Sequence, residues 1–348
     1  MFASKEGDLS EGNRGSQSEL DLYDYWLPKE RIAQQPLELR SSARLLDARS
    51  GPMDLVDRRV RDIGDILQPG DVLVLNESRV IPSRLRLKRR SGGNCEVLLL
   101  EADKRGIFQA LIRPSKRIKN GEVLFSGESP VLEVLAKEVA GIRFVRVLDE
   151  DLTRRLGEIP LPPYIESQLV NPERYQTVFA SREGSVAAPT AGLHFDFETL
   201  LAIEAKGVGI VKVDLAVGLG TFLPIKVDKL SDHKMHEEAY SIPLESWQNI
   251  AKAQRVVAVG TTVLRALESA KLTGDLSGRT DLFVREGFDF QVVDVLMTNF
   301  HVPRSTLIVL IAAFYGPAWR QVYGYALQNE YRFLSFGDAM LLARGAGR

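Results

Sequence analysis

Four histidines, His194, His233, His236 and His301, are the side chains of this 348-residue chain best suited to moving protons near neutral pH. Each sits in a segment whose composition is wrong for ordinary core. His194 closes G-S-V-A-A-P-T-A-G-L-H-F (184–195), where Pro, two Gly and small residues stand where a buried strand would place Val, Ile and Leu. His233 and His236 lie in H-K-M-H-E-E (233–238), and His301 in T-N-F-H-V-P-R-S-T-L (298–307). Glu237 and Asp338, the latter in Y-R-F-L-S-F-G-D-A-M-L (331–341), complete a set that could supply general acids and bases. The spacing of His233 and His236 beside Glu237 invites a metal. It is neither H-E-x-x-H nor a cysteine-supported zinc pattern, however, and we expect no metal. We expect His194 and His301 near the reacting centre; a hydrogen-bonded structural role for one or two of the four imidazoles is the alternative.

Two further blocks could hold a ligand. V-G-L-G-T-F (217–222) brings Gly218, Gly220 and Thr221 to a place where backbone can approach a bound molecule closely. It lacks the full G-x-G-x-x-G spacing and a following helix, so a dinucleotide site is excluded. V-A-V-G-T-T-V-L-R-A-L-E (257–268) opens a helix on Thr261 and Thr262, whose free N–H groups and hydroxyls suit an anion or a carboxylate. The same Gly-Thr turn also occurs as an ordinary helix cap. Asn299, in the T-N-F-H block, is counted with these as a substrate-binding residue.

The elements that must position these residues follow from the pattern. After residue 160, strands alternate with helices: 208–215 after a helix capped by Asp196, Arg255–Val259 before a helix at 263–271, and 292–297 before the apolar run Thr306–Tyr315. Such alternation marks an α/β layered domain, in which ligands collect at the carboxyl ends of the strands. Three of the unusual blocks fall just there, so they should share one pocket. Between 71 and 150 the pattern differs: short runs at 72–75, 85–87, 97–100, 108–112, 131–135 and 143–148 are separated by turn signals every 10–15 residues, which argues a small antiparallel β-barrel or sandwich. The expected organisation is a tail at 1–19, an α/β catalytic domain from 20–70 and 151–348, and a barrel inserted at 71–150. Segment 20–34 has no strand partner nearby and should pack on the α/β domain.

Composition bounds the rest. With 45% apolar and 26% charged residues the chain has the make-up of a globular protein large enough for two domains. Cys95, the single cysteine, excludes an intrachain disulfide, and the absence of any long apolar run excludes a membrane-spanning helix; both fit the cytoplasm. The formal net charge of −1 conceals an asymmetry, because residues 79–121 carry twelve Lys and Arg against three Asp and Glu. A basic module on an acidic body suggests a nucleic-acid face, with Arg89, Arg90, Arg117 and Lys119 as its contacts. The alternative is a solvated strand face that serves solubility.

The blocks together, in this order over 20–343, closely resemble the S-adenosylmethionine:tRNA ribosyltransferase-isomerase family of queuosine biosynthesis. The resemblance implies a two-domain enzyme of tRNA modification, at once a transferase and an isomerase. It implies S-adenosylmethionine as a consumed ribosyl donor with no separate cofactor, and a tRNA with a G-U-N anticodon carrying 7-aminomethyl-7-deazaguanine at the wobble position. The product would be epoxyqueuosine-tRNA, with adenine and methionine released by a cytoplasmic monomer. Two positions depart from the family pattern. Ala216 stands where the family's Gly-rich block begins with His, which argues against an essential base there, and 285–287 reads R-E-G where Pro commonly precedes Gly. The competing readings are a S-adenosylmethionine-dependent enzyme acting on a small-molecule acceptor, and a non-enzymatic RNA-binding module.

Overall fold

The computed structural model describes residues 18–103, 105–137, 142–218, 225 and 227–348. Its largest element is a nine-stranded mixed sheet in the order Ser277–Thr280, Glu238–Ser241, Gly209–Leu215, Asp71–Asn76, Arg255–Val259, Val295–Asn299, Ala339–Ala343, Arg44–Asp47, Val56–Arg59. The four strands from Gly209–Leu215 through Val295–Asn299 run parallel, and antiparallel strands flank them on both sides.

Alternation along Asp71–Asn76 shows how the layers form. Val72 and Val74 face one apolar cluster with Val263 and Leu267 of the helix Thr261–Thr273 and Ile308 of the helix Thr306–Tyr315. Leu73 and Leu75 face the other, with Ile203 of the helix Phe197–Ala205 and Ile63. With helices on both faces, the strand is buried at all six positions. Each such aliphatic side chain contributes about 1.5–3 kcal/mol on leaving water. This corrects the sequence reading of 72–75 as the barrel's first run: unbroken burial is the mark of a strand covered on both faces, not of a barrel wall.

The barrel itself comprises six antiparallel strands, closed in the order Ile142–Val147, Ile107–Arg113, Asn94–Ala102, Arg84–Arg89, Val123–Ser126, Ser129–Lys137. It falls in the chain between two neighbouring strands of the large sheet, Asp71–Asn76 and Gly209–Leu215, which pair in parallel. Strand Arg84–Arg89 alternates, with Leu85 and Leu87 buried in the barrel core and Arg86 and Lys88 exposed. Val123–Ser126 escaped the sequence reading because it is only four residues long.

Local signals were followed closely elsewhere. Asp196 caps the helix Phe197–Ala205 by accepting from the Thr199 N–H at 2.8 Å. The run Thr306–Tyr315 is a helix with eight buried residues. The N-terminal segment lies on the α/β body, where the Tyr25 ring meets Trp319, Tyr323 and Phe333 edge-on or tilted, and Ile32 bridges to Phe333. Of the expected tail, only Ser18 and Glu19 lie within the described residues, and both are bonded to the body, at the Asp228 carbonyl and the Leu230 N–H. Among the described residues no helix is long and apolar enough to cross a membrane.

Candidate active site

A cavity of about 260 Å³ opens at the carboxyl end of the parallel strands. It is lined by 188–191, 260–262 and 298–303, with Tyr164, Val217, Leu334 and Ser335. The expected meeting of distant blocks therefore occurs, and its hinge is Asn299 at the end of Val295–Asn299. The Asn299 amide oxygen accepts from the Thr190 hydroxyl at 3.0 Å, while its nitrogen donates to the Leu334 carbonyl at 3.2 Å and meets His194 Nε2 at 3.0 Å. A carbonyl can only accept, which fixes the amide orientation. His194 Nε2 is then an acceptor, and the neutral ring carries its proton on Nδ1. Burial, reinforced by the Arg332 and Arg40 charges, pushes His194 down to about 3, in accord with that neutral state.

His301 lines the cavity directly. Its Nε2 lies 3.0 Å from the Thr298 hydroxyl, its N–H donates to the Tyr323 hydroxyl at 3.1 Å, and its carbonyl accepts from Tyr25. Burial alone pushes it down to about 3. Two neutral imidazoles therefore border the cavity, His301 in its wall and His194 one amide behind it.

The third contribution is the start of the helix Thr261–Thr273. Gly260 precedes it with φ +94°, a conformation that favours glycine, and among the described residues no side chain caps the helix. Among the described residues the first N–H groups are thus left to the cavity, together with two hydroxyls. Thr262 Oγ1 accepts from Asn76 at 3.3 Å; the Thr261 hydroxyl has no partner among the described residues. The loop 188–194 can come this close because Gly192 lacks a Cβ, which would lie 2.9 Å from Phe179 and Thr177.

The remaining candidates fall elsewhere. His233 is edge-on to Phe283 at 5.3 Å between centroids, and exposed His236 borders a smaller pocket on the far side of Thr261 and Thr262. Burial lowers the His233 pKa. Among the described residues no three His, Cys, Asp or Glu side chains gather as metal ligands. Glu237 is exposed and paired with Arg279 at 2.9 Å. Asp338 is buried outside the cavity lining and accepts from the Arg44 and Arg332 backbone N–H groups at 2.9 and 2.8 Å; it joins two segments of backbone, and burial raises its pKa. Gly218 lies next to the cavity through Val217, but its N–H already donates to Glu238 at 2.8 Å. Gly220 and Thr221 lie outside the described residues. Ala216, half-buried at the end of its strand, is not part of the cavity lining; its N–H bonds the Ala239 carbonyl.

Sequence reasoning missed Glu238. It is buried, pairs with Arg265 and accepts from Gly218, so it ties the start of the 217–222 block to the helix that carries Thr261 and Thr262. Arg265 and Glu268 stood out as charges inside an apolar helical run, a signal that went unused; both are buried, and Glu268 accepts three successive N–H groups at 291–293.

On the barrel, Arg90, Arg117 and Lys119 are exposed, with no ion-pair partner among the described residues. Buried Arg143 shapes the loop that presents the last two, donating to the Ile118 carbonyl at 3.2 Å and to Asn120 at 3.0 Å. Arg89 differs from the expectation. It is held by Glu122 through two bonds of 2.6 and 3.1 Å and so belongs to the barrel's own structure.

Residues 20–342 match a family described as queuosine biosynthesis protein. An S-adenosylmethionine:tRNA ribosyltransferase-isomerase of Rubrobacter xylanophilus is 46% identical over 94% of this chain and 98% of its own length. One from Thermus thermophilus is 48% identical, over 93% of this chain and 99% of its own. A crystal structure of S-adenosylmethionine tRNA ribosyltransferase from Thermotoga maritima aligns with a TM-score of 0.53 at 35% identity, covering 92% of this chain and 99% of that one.

Proposed function

The chain belongs to the queuosine biosynthesis protein family, as a transferase and isomerase of tRNA modification, and we propose that its cavity is where S-adenosylmethionine gives up its ribosyl unit. The acceptor in this reading is the aminomethyl group of 7-aminomethyl-7-deazaguanine at the wobble position of a G-U-N tRNA. The product is epoxyqueuosine-tRNA, and adenine and methionine leave. S-adenosylmethionine is consumed, so no separate cofactor takes part, and the enzyme works in the cytoplasm as a monomer. The observation that carries this reading is the convergence of an uncapped helix start, His301 and the Asn299 cluster on one largely apolar cavity.

Three demands follow from the chemistry. The sulfonium acidifies its 5′ carbon, so a base must take a proton; adenine needs a proton or a strong donor as it leaves; and the attacking amine must be neutral. A buried imidazole near pKa 3 is a poor base against water, yet the balance differs here. When the sulfonium loses its proton to His301, a cation and a neutral ring become a neutral ylide and an imidazolium. The sulfonium–imidazole pair carries one positive charge before and after, so the burial that depresses the imidazole does not oppose the step in full. The methionyl carboxylate would lie on the N–H groups of 261–263 and the Thr261 hydroxyl. Arg90, Arg117 and Lys119 would meet the tRNA backbone. Release of adenine from S-adenosylmethionine, followed by chromatography, tests this directly: it should require tRNA carrying the deazaguanine precursor. Formation of S-adenosylhomocysteine in its place would mark a methyltransferase and refute the reading.

A further inference from the structure

Behind the wall of the cavity, on the side of His194 away from Asn299, lies a small notch open to solvent. Three half-buried arginines reach it, Arg40, Arg174 and Arg332. Among the described residues none has a carboxylate within ion-pair distance. Their hydrogen bonds go to backbone carbonyls alone: Arg40 to Leu193 and Glu173 at 3.0 and 3.3 Å, Arg174 to Glu38 at 3.1 Å and Leu37 at 2.5 Å, and Arg332 to Gln35 at 3.4 Å and Phe336. Carbonyls satisfy N–H groups but leave the charge in place. Buried Arg174 Nε has no partner among the described residues. The neighbouring carboxylates are engaged elsewhere, Asp196 at the start of its helix, Glu173 with Arg79 and Asp338 on backbone N–H groups. Burial lowers the pKa of both Arg40 and Arg332, and Arg174 lowers that of Arg40 further; Asp196 and Glu173 offset part of this for Arg40, and Asp338 for Arg332, without reaching ion-pair distance.

We propose that the notch of Arg40, Arg174, Arg332 and His194 is a phosphate site that holds a phosphodiester of the bound tRNA next to the cavity. Guanidinium forks match phosphate oxygens, and three of them with no carboxylate in direct contact among the described residues make a site that an anion completes. The place is apt for a nucleic acid. Ser335 lines both notch and cavity, and the His194–Asn299 contact separates them. A base turned out of its stack into the cavity brings its flanking phosphates to the cavity's edge. The inference rests on the reading of tRNA as substrate, and it adds a contact on the α/β body to those of the barrel.

The test has two arms. Inorganic phosphate is titrated into the whole protein at fixed ionic strength in exchange for chloride, while the imidazole NMR signals are followed, that of His194 being assigned with His194→Gln. The His194 signal should shift saturably in the wild type and stay still in the Arg40→Gln/Arg332→Gln double variant. In the second arm, tRNA affinity of that variant should fall by about tenfold and its salt slope by about 0.7–0.9 for each lost contact. Should the glutamine variant fail to fold, Arg40→Lys/Arg332→Lys retains the charge and should retain the salt slope. No phosphate shift in the wild type overturns the site. A phosphate shift with tRNA affinity and salt slope unchanged in the variant overturns the phosphodiester as its occupant. A wild-type protein with no affinity for tRNA overturns that occupant together with the tRNA reading itself, so the two failures are distinguishable.

Discussion

Replacing Thr261 by Val isolates the one hydroxyl at the helix start that has no partner within the described protein. The two side chains have nearly the same volume, and the backbone N–H groups stay in place. Because no internal bond is lost, the unliganded protein should keep its Tm. Thr262→Val serves as the internal comparison: it removes the acceptor 3.3 Å from Asn76, whose amide still donates to the Leu215 carbonyl at 3.0 Å. That change should lower stability by about 1 kcal/mol. If the Thr261 hydroxyl donates to the methionyl carboxylate, its loss removes a bond to a charged group of about 1.5–3 kcal/mol, or roughly 10- to 150-fold in Kd. Isothermal titration calorimetry with S-adenosylmethionine measures this, and tRNA affinity should be untouched. Binding of S-adenosylmethionine within twofold of wild type, at an unchanged Tm, would refute the placement of the carboxylate at this helix start.

Asn299→Leu leaves the Thr190 hydroxyl, His194 Nε2 and the Leu334 carbonyl without their shared partner, at about 1–3 kcal/mol for each buried group left unpaired; thermal unfolding should show a Tm well below wild type, and a drop of under 2 °C would show that water replaces the amide. Burial holds His194 and His301 at about 3, below their usual 6.5, so the unfolded chain binds more protons than the folded one between those values and stability must fall as pH drops through that window. At pH 5 the loss is about 2 kcal/mol per imidazole, and urea unfolding at pH 5 and 7 should show a smaller difference for His194→Gln and His301→Gln than for wild type. Arg117→Glu with Lys119→Glu should weaken tRNA binding and flatten its salt dependence at constant Tm, whereas Arg89→Gln should lower the Tm by breaking the pair with Glu122; equal effects of the two changes on tRNA affinity would contradict the distinction.

What could be read from the sequence was what neighbouring residues determine. The Asp196 cap, the buried helix Thr306–Tyr315 and the strand Arg255–Val259 each follow from signals within a few residues. The cavity was foreseen because ligand loops of a parallel sheet gather at the carboxyl ends of its strands. What failed needed pairing across the chain. Asp71–Asn76 finds its place only through Gly209–Leu215 and Arg255–Val259, strands on the other side of the barrel. Choosing between Glu237 and Glu238 requires the phase of a short strand: one step along it exchanges a surface pair with Arg279 for a buried pair with Arg265. Arg89 and Arg90 are alike in sequence, and only Glu122, delivered by a later segment of the barrel, separates structure from surface. That His194 and His301, rather than His233 and His236, stand nearest the reacting centre was expected from their blocks; what the sequence did not show is Asn299, which joins two blocks more than a hundred residues apart.

The central claim, that this cavity transfers a ribosyl unit to a tRNA base, is tested most directly by mass spectrometry of nucleosides from tRNA incubated with the purified protein and S-adenosylmethionine. The account predicts that the 7-aminomethyl-7-deazaguanine nucleoside is replaced by epoxyqueuosine, with one adenine and one methionine released per base converted. An unchanged precursor nucleoside, or one heavier by a methyl group alone, would contradict it.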